Sequence, residues 1–151
     1  MDRDRVWDHT VAARVSLAAT LADLSEDEWN HPSLCEGWRV RDVAAHLIMG
    51  PQLGWRRSLS LTRHAWRGYN GLIAHSGRVA GSAPVADILA DYERYADLRQ
   101  APVMVTYVEP LVDALVHSQD IVRPLGRTAP LPGDAAALAA ARGWTLALLM
   151  G

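Results

Sequence analysis

One cysteine, Cys35, is all the chain contains. That excludes an internal disulfide framework and fits a reducing, cytoplasmic compartment. Phenylalanine is absent, and the large aromatics are six Trp and four Tyr. No uncharged apolar run reaches the roughly 18 residues that a membrane span requires. The most apolar stretch, residues 135–150, is interrupted by Arg142 and reads as a buried helix. Strong charge of either sign is also missing. A net charge of −2 leaves no electrostatic footprint for nucleic acid or an anionic membrane. The first eight residues, MDRDRVWD, are charged where a secretory leader would be apolar. No glycine-rich phosphate loop is present, and neither Ser33 nor Ser118 has an evident base and orienting partner.

What remains is a chain of 151 residues, half of them hydrophobic and rich in Ala, Leu and Val. Its length suits one domain with a core of its own. Residues 4–24 carry Trp7, Val11, Val15, Ala18 and Leu21 at helical steps, with Asp8, Arg14 and Asp23 as polar interruptions. Ser25 with Glu28 three positions later reads as a capping box opening one short turn that ends near Trp29. Residues 30–38 form a loop marked by Pro32 and Gly37. A second helix begins near Val40, with Asp42 suiting its dipole and His46 on the margin of its apolar stripe. Gly50 and Pro51 interrupt it, and Leu53, Trp55, Leu59 and Leu61 suggest that helix resumes. A short helix is expected near residues 69–79, and another from Pro84 through Leu98. Residues 103–123 are taken as a helix with its lead-in, although 103–108 alone would suit a strand. It ends at Pro124 to Gly126, and Asp134 caps a last helix. The expected fold class is all-α, a bundle of four long helices with short additional ones.

Within 103–123, Glu109, Asp113, His117 and Asp120 recur at steps of four, four and three. At about 100° per residue they fall within roughly 80° of one another around the helix axis. A carboxylate and an imidazole one turn apart can hold one metal ion, and two His with one carboxylate is an established zinc set. Asp113 and His117 supply two ligands; His46, from the second helix, is the best-placed third. A fourth position would stay open for water or substrate. The same stripe also suits a solvated helix face. Against that, its flanks are apolar nearly all round, and Ser118 and Gln119 are uncharged. Cys35 is either a loop nucleophile or inert. Arg39, Arg41, Arg56, Arg57 and Arg63 form either a solvated edge or a positive rim.

Two blocks carry a resemblance. Residues 33–47, SLCEGWRVRDVAAHL, resemble the N-terminal signature of the mycothiol-dependent maleylpyruvate isomerase family, among the DinB-like helical-bundle metalloproteins. Residues 113–121, DALVHSQDI, with RPLG at 123–126, resemble its second signature. The resemblance implies a DinB-like four-helix bundle and a metal, typically zinc, held by His46, Asp113 and His117. The isomerase itself uses Glu where this chain has Asp113, one methylene shorter. Asp120 also sits in the family pattern and is expected to orient a ligating imidazole. By the same resemblance the cofactor is mycothiol, whose sulfur would ionise at the open zinc position and attack a small electrophile, giving isomerisation or S-transfer. Members of this type often continue into a further small domain. Residues 1–151 are therefore expected to be a single metal-binding domain without that extension. Other readings from the residues are a metal-binding bundle without catalysis and a helical interaction module. A homodimer is expected, with no nucleic-acid or membrane partner.

Overall fold

The computed structural model describes residues 1–53, 68–102 and 105–150, the side chains of 68–70, 72 and 146–150 excepted. Among the described residues the chain is helical and has no β-strand, in agreement with an all-α, DinB-like bundle. The helices are α1 (Arg3–Ala22), α2 (Glu26–Asn30), α3 (Val40–Met49), α4 (Gly68–Gly81), α5 (Val85–Tyr95), α6 (Glu109–Val122) and α7 (Gly133–Met150). None of them is long and apolar enough to cross a membrane.

Helix starts follow local chemistry. Asp2 caps α1, its carboxylate accepting from the Arg5 backbone N–H at 2.9 Å. The capping box at Ser25 is complete: Glu28 N–H donates to Ser25 Oγ at 3.3 Å, and Ser25 N–H donates to Glu28 at 2.8 Å. Gly50 and Pro51 do break the second helix, which passes into a 3-10 turn over Gly50–Gln52. The expected resumption through Trp55, Leu59 and Leu61 lies outside the described residues.

One expectation needs correction. The buried line on α1 runs Val6, Trp7, Thr10, Arg14, Leu17 and Leu21, while Val15 is half exposed. The stripe is rotated because its polar members carry their own partners. Thr10 Oγ1 donates to the Val6 carbonyl at 2.8 Å, and the Arg14 guanidinium donates to the Leu98 carbonyl at 3.1 Å. The helix expected within 103–123 starts at Glu109, with 105–108 as its lead-in. Pro110 lies in its first turn, where a missing N–H is harmless. Thr106 and Glu109 close the entry: the Thr106 backbone N–H donates to the Glu109 carboxylate at 2.8 Å.

α3 is central, packing on α2, α4, α5 and α6; α1 packs on α5 and α6, and α7 on α6. One core gathers Leu17, Leu21, Trp29, Val43, Ile48, Tyr92 and Ile121; a second gathers Val6, Leu111, Leu115, Ala135 and Ala139. Tyr92 is buried, and its hydroxyl donates to the Ala44 carbonyl at 3.0 Å, joining α5 to the site-bearing α3.

α4 approaches α3 through two glycines one turn apart. A Cβ on Gly77 would lie 2.5 Å from the Trp38 ring, and one on Gly81 would lie 2.6 Å from the Asp42 Cα. Backbone cannot yield as a side-chain tip can. Gly81→Ala is therefore expected to destabilise the fold by about 1–3 kcal/mol, as overpacking does. Urea titration of both proteins checks this; an unchanged midpoint would contradict the close packing of α4 on α3.

Candidate metal centre

α6 turns Leu111, Ala114, Leu115, Ser118, Ile121 and Val122 inward. Ser118 can be buried because its hydroxyl donates to the Ala114 carbonyl at 2.6 Å. Gln119 ties the helix to the following loop, its side-chain amide donating to the Ala129 carbonyl at 3.3 Å. Asp113, His117 and Asp120 stand on the flank of that inner face.

His117 is held through one ring nitrogen. Its Nδ1 lies 2.9 Å from Asp120 Oδ2. A carboxylate only accepts, so Nδ1 carries the proton and Nε2 is left for another partner. Burial alone would lower the His117 imidazole. Hydrogen bonds to Asp120 and Cys35 and the charge of Asp113 outweigh it and push the pKa up to about 10. On Asp120, burial acts upward, but the bonds to His117 and Cys35 hold the carboxyl below its usual range.

His46 comes from the middle of α3. Its ring stands edge-on between Trp38, at 5.2 Å and 63°, and His117, at 5.3 Å and 83°. Its Nδ1 is buried with no hydrogen-bond partner. Burial, with the nearby His117 charge, depresses its pKa to about 4. At neutral pH it is an uncharged imidazole, the form that binds metals. α3 is fixed at its start by Asp42, which is 2% exposed and accepts from the Arg39 backbone N–H at 2.9 Å and from the Arg39 guanidinium at 3.0 Å.

Asp113 is open to solvent on one side and has no hydrogen-bond partner among the described residues. Protein crowding raises its carboxyl pKa, while His117 and Arg14 pull it down. The structure thus brings His46 and His117 together and places Asp113 one turn before His117. Among the described residues the donors that lie within 4.8 Å of one another form a different group: Cys35, His117 and Asp120. His46 and Asp113 are outside that group.

Cys35 reaches α6 from the 33–38 loop. Its thiol donates to Asp120 Oδ2 at 3.2 Å and lies 3.7 Å from His117 Nδ1. From the sequence, Cys35 reads only as a nucleophile or an inert thiol. The available signal was position: Cys35 belongs to the same signature block as His46. Arg14, in the sequence a polar interruption of the α1 stripe, is a buried residue. It is 1% exposed, and burial lowers its pKa while Tyr92 and Asp113 act the other way.

Glu109, the remaining member of the stripe, belongs to the helix start. It accepts from Thr106 and from the Arg142 guanidinium of α7. The positive rim is likewise structural where it is described. Arg39 pairs with Asp42, and Arg41 donates to the Gly81 carbonyl at 2.6 Å and the Ala83 carbonyl at 2.7 Å. Arg56, Arg57 and Arg63 lie outside the described residues.

Comparison with known proteins adds one finding. The family model for the mycothiol maleylpyruvate isomerase N-terminal domain matches residues 10–150. No curated protein and no solved structure gives a significant match. The matched span contains both signature blocks and every residue of the site. The chain belongs to the family of mycothiol maleylpyruvate isomerase N-terminal domains.

Proposed function

We propose that this protein binds one divalent metal ion, zinc being the expected one, through His46, Asp113 and His117. In this reading it is a single metal-binding domain that uses mycothiol to isomerise, or transfer sulfur to, a small electrophile. The observation that carries the reading is the facing pair of imidazoles from α3 and α6, 5.3 Å apart, with the buried Nδ1 of His46 unpartnered. A buried nitrogen without a partner costs about 1–3 kcal/mol, which ligation would offset. His117 supports the reading too, because Asp120 fixes its tautomer and aim through Nδ1. Asp113 offers an unpaired carboxylate one turn away.

The donor set fits a borderline ion such as zinc: two neutral nitrogens and one carboxylate oxygen. When bound, the ion would ionise a coordinated thiol. The residues of the chain do the rest. Trp38 walls one side of His46 and keeps water from its ring. Asp120 holds His117 against rotation. Arg14 places a buried positive charge whose influence reaches Asp113, favouring its ionised form.

Metal analysis of the purified protein tests this. About one equivalent of zinc is expected in the native protein, with stoichiometric binding lost in His46→Ala and His117→Ala and weakened in Asp113→Ala. A native protein without metal, or a His46→Ala variant holding as much as the native, would overturn the site. Mycothiol-dependent consumption of an electrophile tests the chemistry. Zinc binding without any thiol-dependent turnover would leave a metal-binding protein that is not an enzyme.

A further inference from the structure

His117 has two ring nitrogens, and the site described above uses only Nε2. We propose that the Nδ1 side is a second cation subsite, formed by Cys35 Sγ, His117 Nδ1 and Asp120 Oδ2, which takes a thiophilic divalent ion of the zinc–cadmium class. The inference deepens the metal-binding reading, since both subsites share His117.

Spacing supports it first. Bonds of about 2.3 Å to sulfur and 2.0–2.2 Å to nitrogen and oxygen, at tetrahedral angles, put donors roughly 3.4–3.6 Å apart. The three pairs here are separated by 3.7 Å (sulfur to nitrogen), 3.2 Å (sulfur to oxygen) and 2.9 Å (nitrogen to oxygen). All fall within about 0.5 Å of a tetrahedral edge. The two shorter ones are contracted because hydrogen bonds now join those atoms. Small outward shifts would open the triangle around an ion.

The triangle is also held in advance. Ser33 Oγ donates to the Trp38 carbonyl at 2.9 Å, and Cys35 N–H donates to Ser33 Oγ at 3.1 Å. Trp38 N–H donates to the Cys35 carbonyl at 3.0 Å, and Leu34 N–H donates to the Asp120 carbonyl at 3.1 Å. That last bond fastens the cysteine loop to the helix carrying the other two donors. Gly37 makes the turn possible with a φ of 74°. The side chains of His117 and Asp120 are 20% and 17% exposed, so an ion can enter but finds little competing water.

Donor chemistry distinguishes the two sides. His46, Asp113 and Nε2 offer nitrogen and oxygen only. The Nδ1 side adds a thiolate, which favours softer ions. Cys35 and Asp120 together neutralise a dication. Binding releases the thiol proton to solvent, and the proton on Nδ1 is lost or moves to Nε2. His117 then has no lone pair for His46's side, so the two subsites compete for it.

Cadmium titration of the metal-free protein, followed by the near-ultraviolet thiolate-to-cadmium charge-transfer band, tests the proposal. The band is expected to saturate at one equivalent in the native protein, to persist in His46→Gln, and to vanish in Cys35→Ser. Far-ultraviolet circular dichroism checks that each variant keeps its helices. Cadmium binding without the band, and lost in His46→Gln, would overturn the subsite and leave the His46 centre standing. A band in the native protein with no zinc binding dependent on His46 would leave the subsite and overturn the other centre. No binding of either ion would overturn both.

Discussion

In its metal-free form, the protein is expected to be most stable near pH 6.5 and to lose stability toward both pH 4 and pH 10. The two facing histidines set the limbs. An unfolded-chain histidine titrates near 6.5, whereas folding lowers His46 to about 4 and raises His117 to about 10. Between about pH 4 and 6.5 the unfolded chain binds a proton that folded His46 refuses. Its contribution is complete above 6.5 and lost as pH falls. His117 works in reverse. Its folded form holds a proton that the unfolded chain releases, so its contribution is complete below 6.5 and lost as pH rises toward 10. At about 1.4 kcal/mol per pH unit, the limbs amount to roughly 3 kcal/mol on the acid side and roughly 5 kcal/mol on the basic side. The carboxylates held low, Glu28, Asp120 and Asp134 among them, act below this window. Thermal melts across pH check the profile. His46→Ala should flatten the acid limb and His117→Ala the basic one. His117→Ala should also relieve part of the depression on His46, because the His117 charge contributes to it. A flat profile in the native protein would show that the two rings do not titrate as the packing requires.

The helices were legible because most of their signals are local. Ser25 and Glu28 cap α2 wherever the rest of the chain lies, and Pro110 fixes the start of α6 by its missing N–H. The pairing of His46 with His117 was also readable, since each lies at the edge of an apolar stripe and both stripes had to meet in one core. What escaped depends on partners distant in sequence. Arg14 looked like an interruption because the carbonyls near it in sequence are taken by the helix's own hydrogen bonds; Leu98 offers one 84 positions later. The α1 stripe rotated to accommodate it. Cys35 showed no partner for the same reason: its contacts, His117 and Asp120, lie 82 and 85 positions away. Glu109 shared a helical face with Asp113, but a face does not determine which neighbours reach it. Thr106 and Arg142 take up its carboxylate.

Adding zinc near pH 7 should raise the stability of the metal-free protein and move protons in doing so. An ion that binds only the folded chain stabilises it by about 4 kcal/mol at a thousandfold excess over its dissociation constant. For a chain of this length that is an upward shift of the melting temperature on the order of 10 °C. The two histidines of the proposed site would contribute unequally to the proton balance. His46, depressed to about 4, is already neutral at pH 7. His117, raised to about 10, is protonated and must give up one proton before Nε2 can ligate. Zinc uptake at pH 7 is therefore expected to release about one proton from His117. That release should fade as pH approaches 10, where His117 is already losing its proton in the metal-free protein. Calorimetric titrations in buffers of different ionisation enthalpy measure the number directly, and zinc melts of His46→Ala supply the control, with the temperature shift lost. Zero release at pH 7 alongside tight binding would mean that His117 enters the site already neutral. The charge balance among Asp113, Asp120 and His117 would then have to be drawn differently.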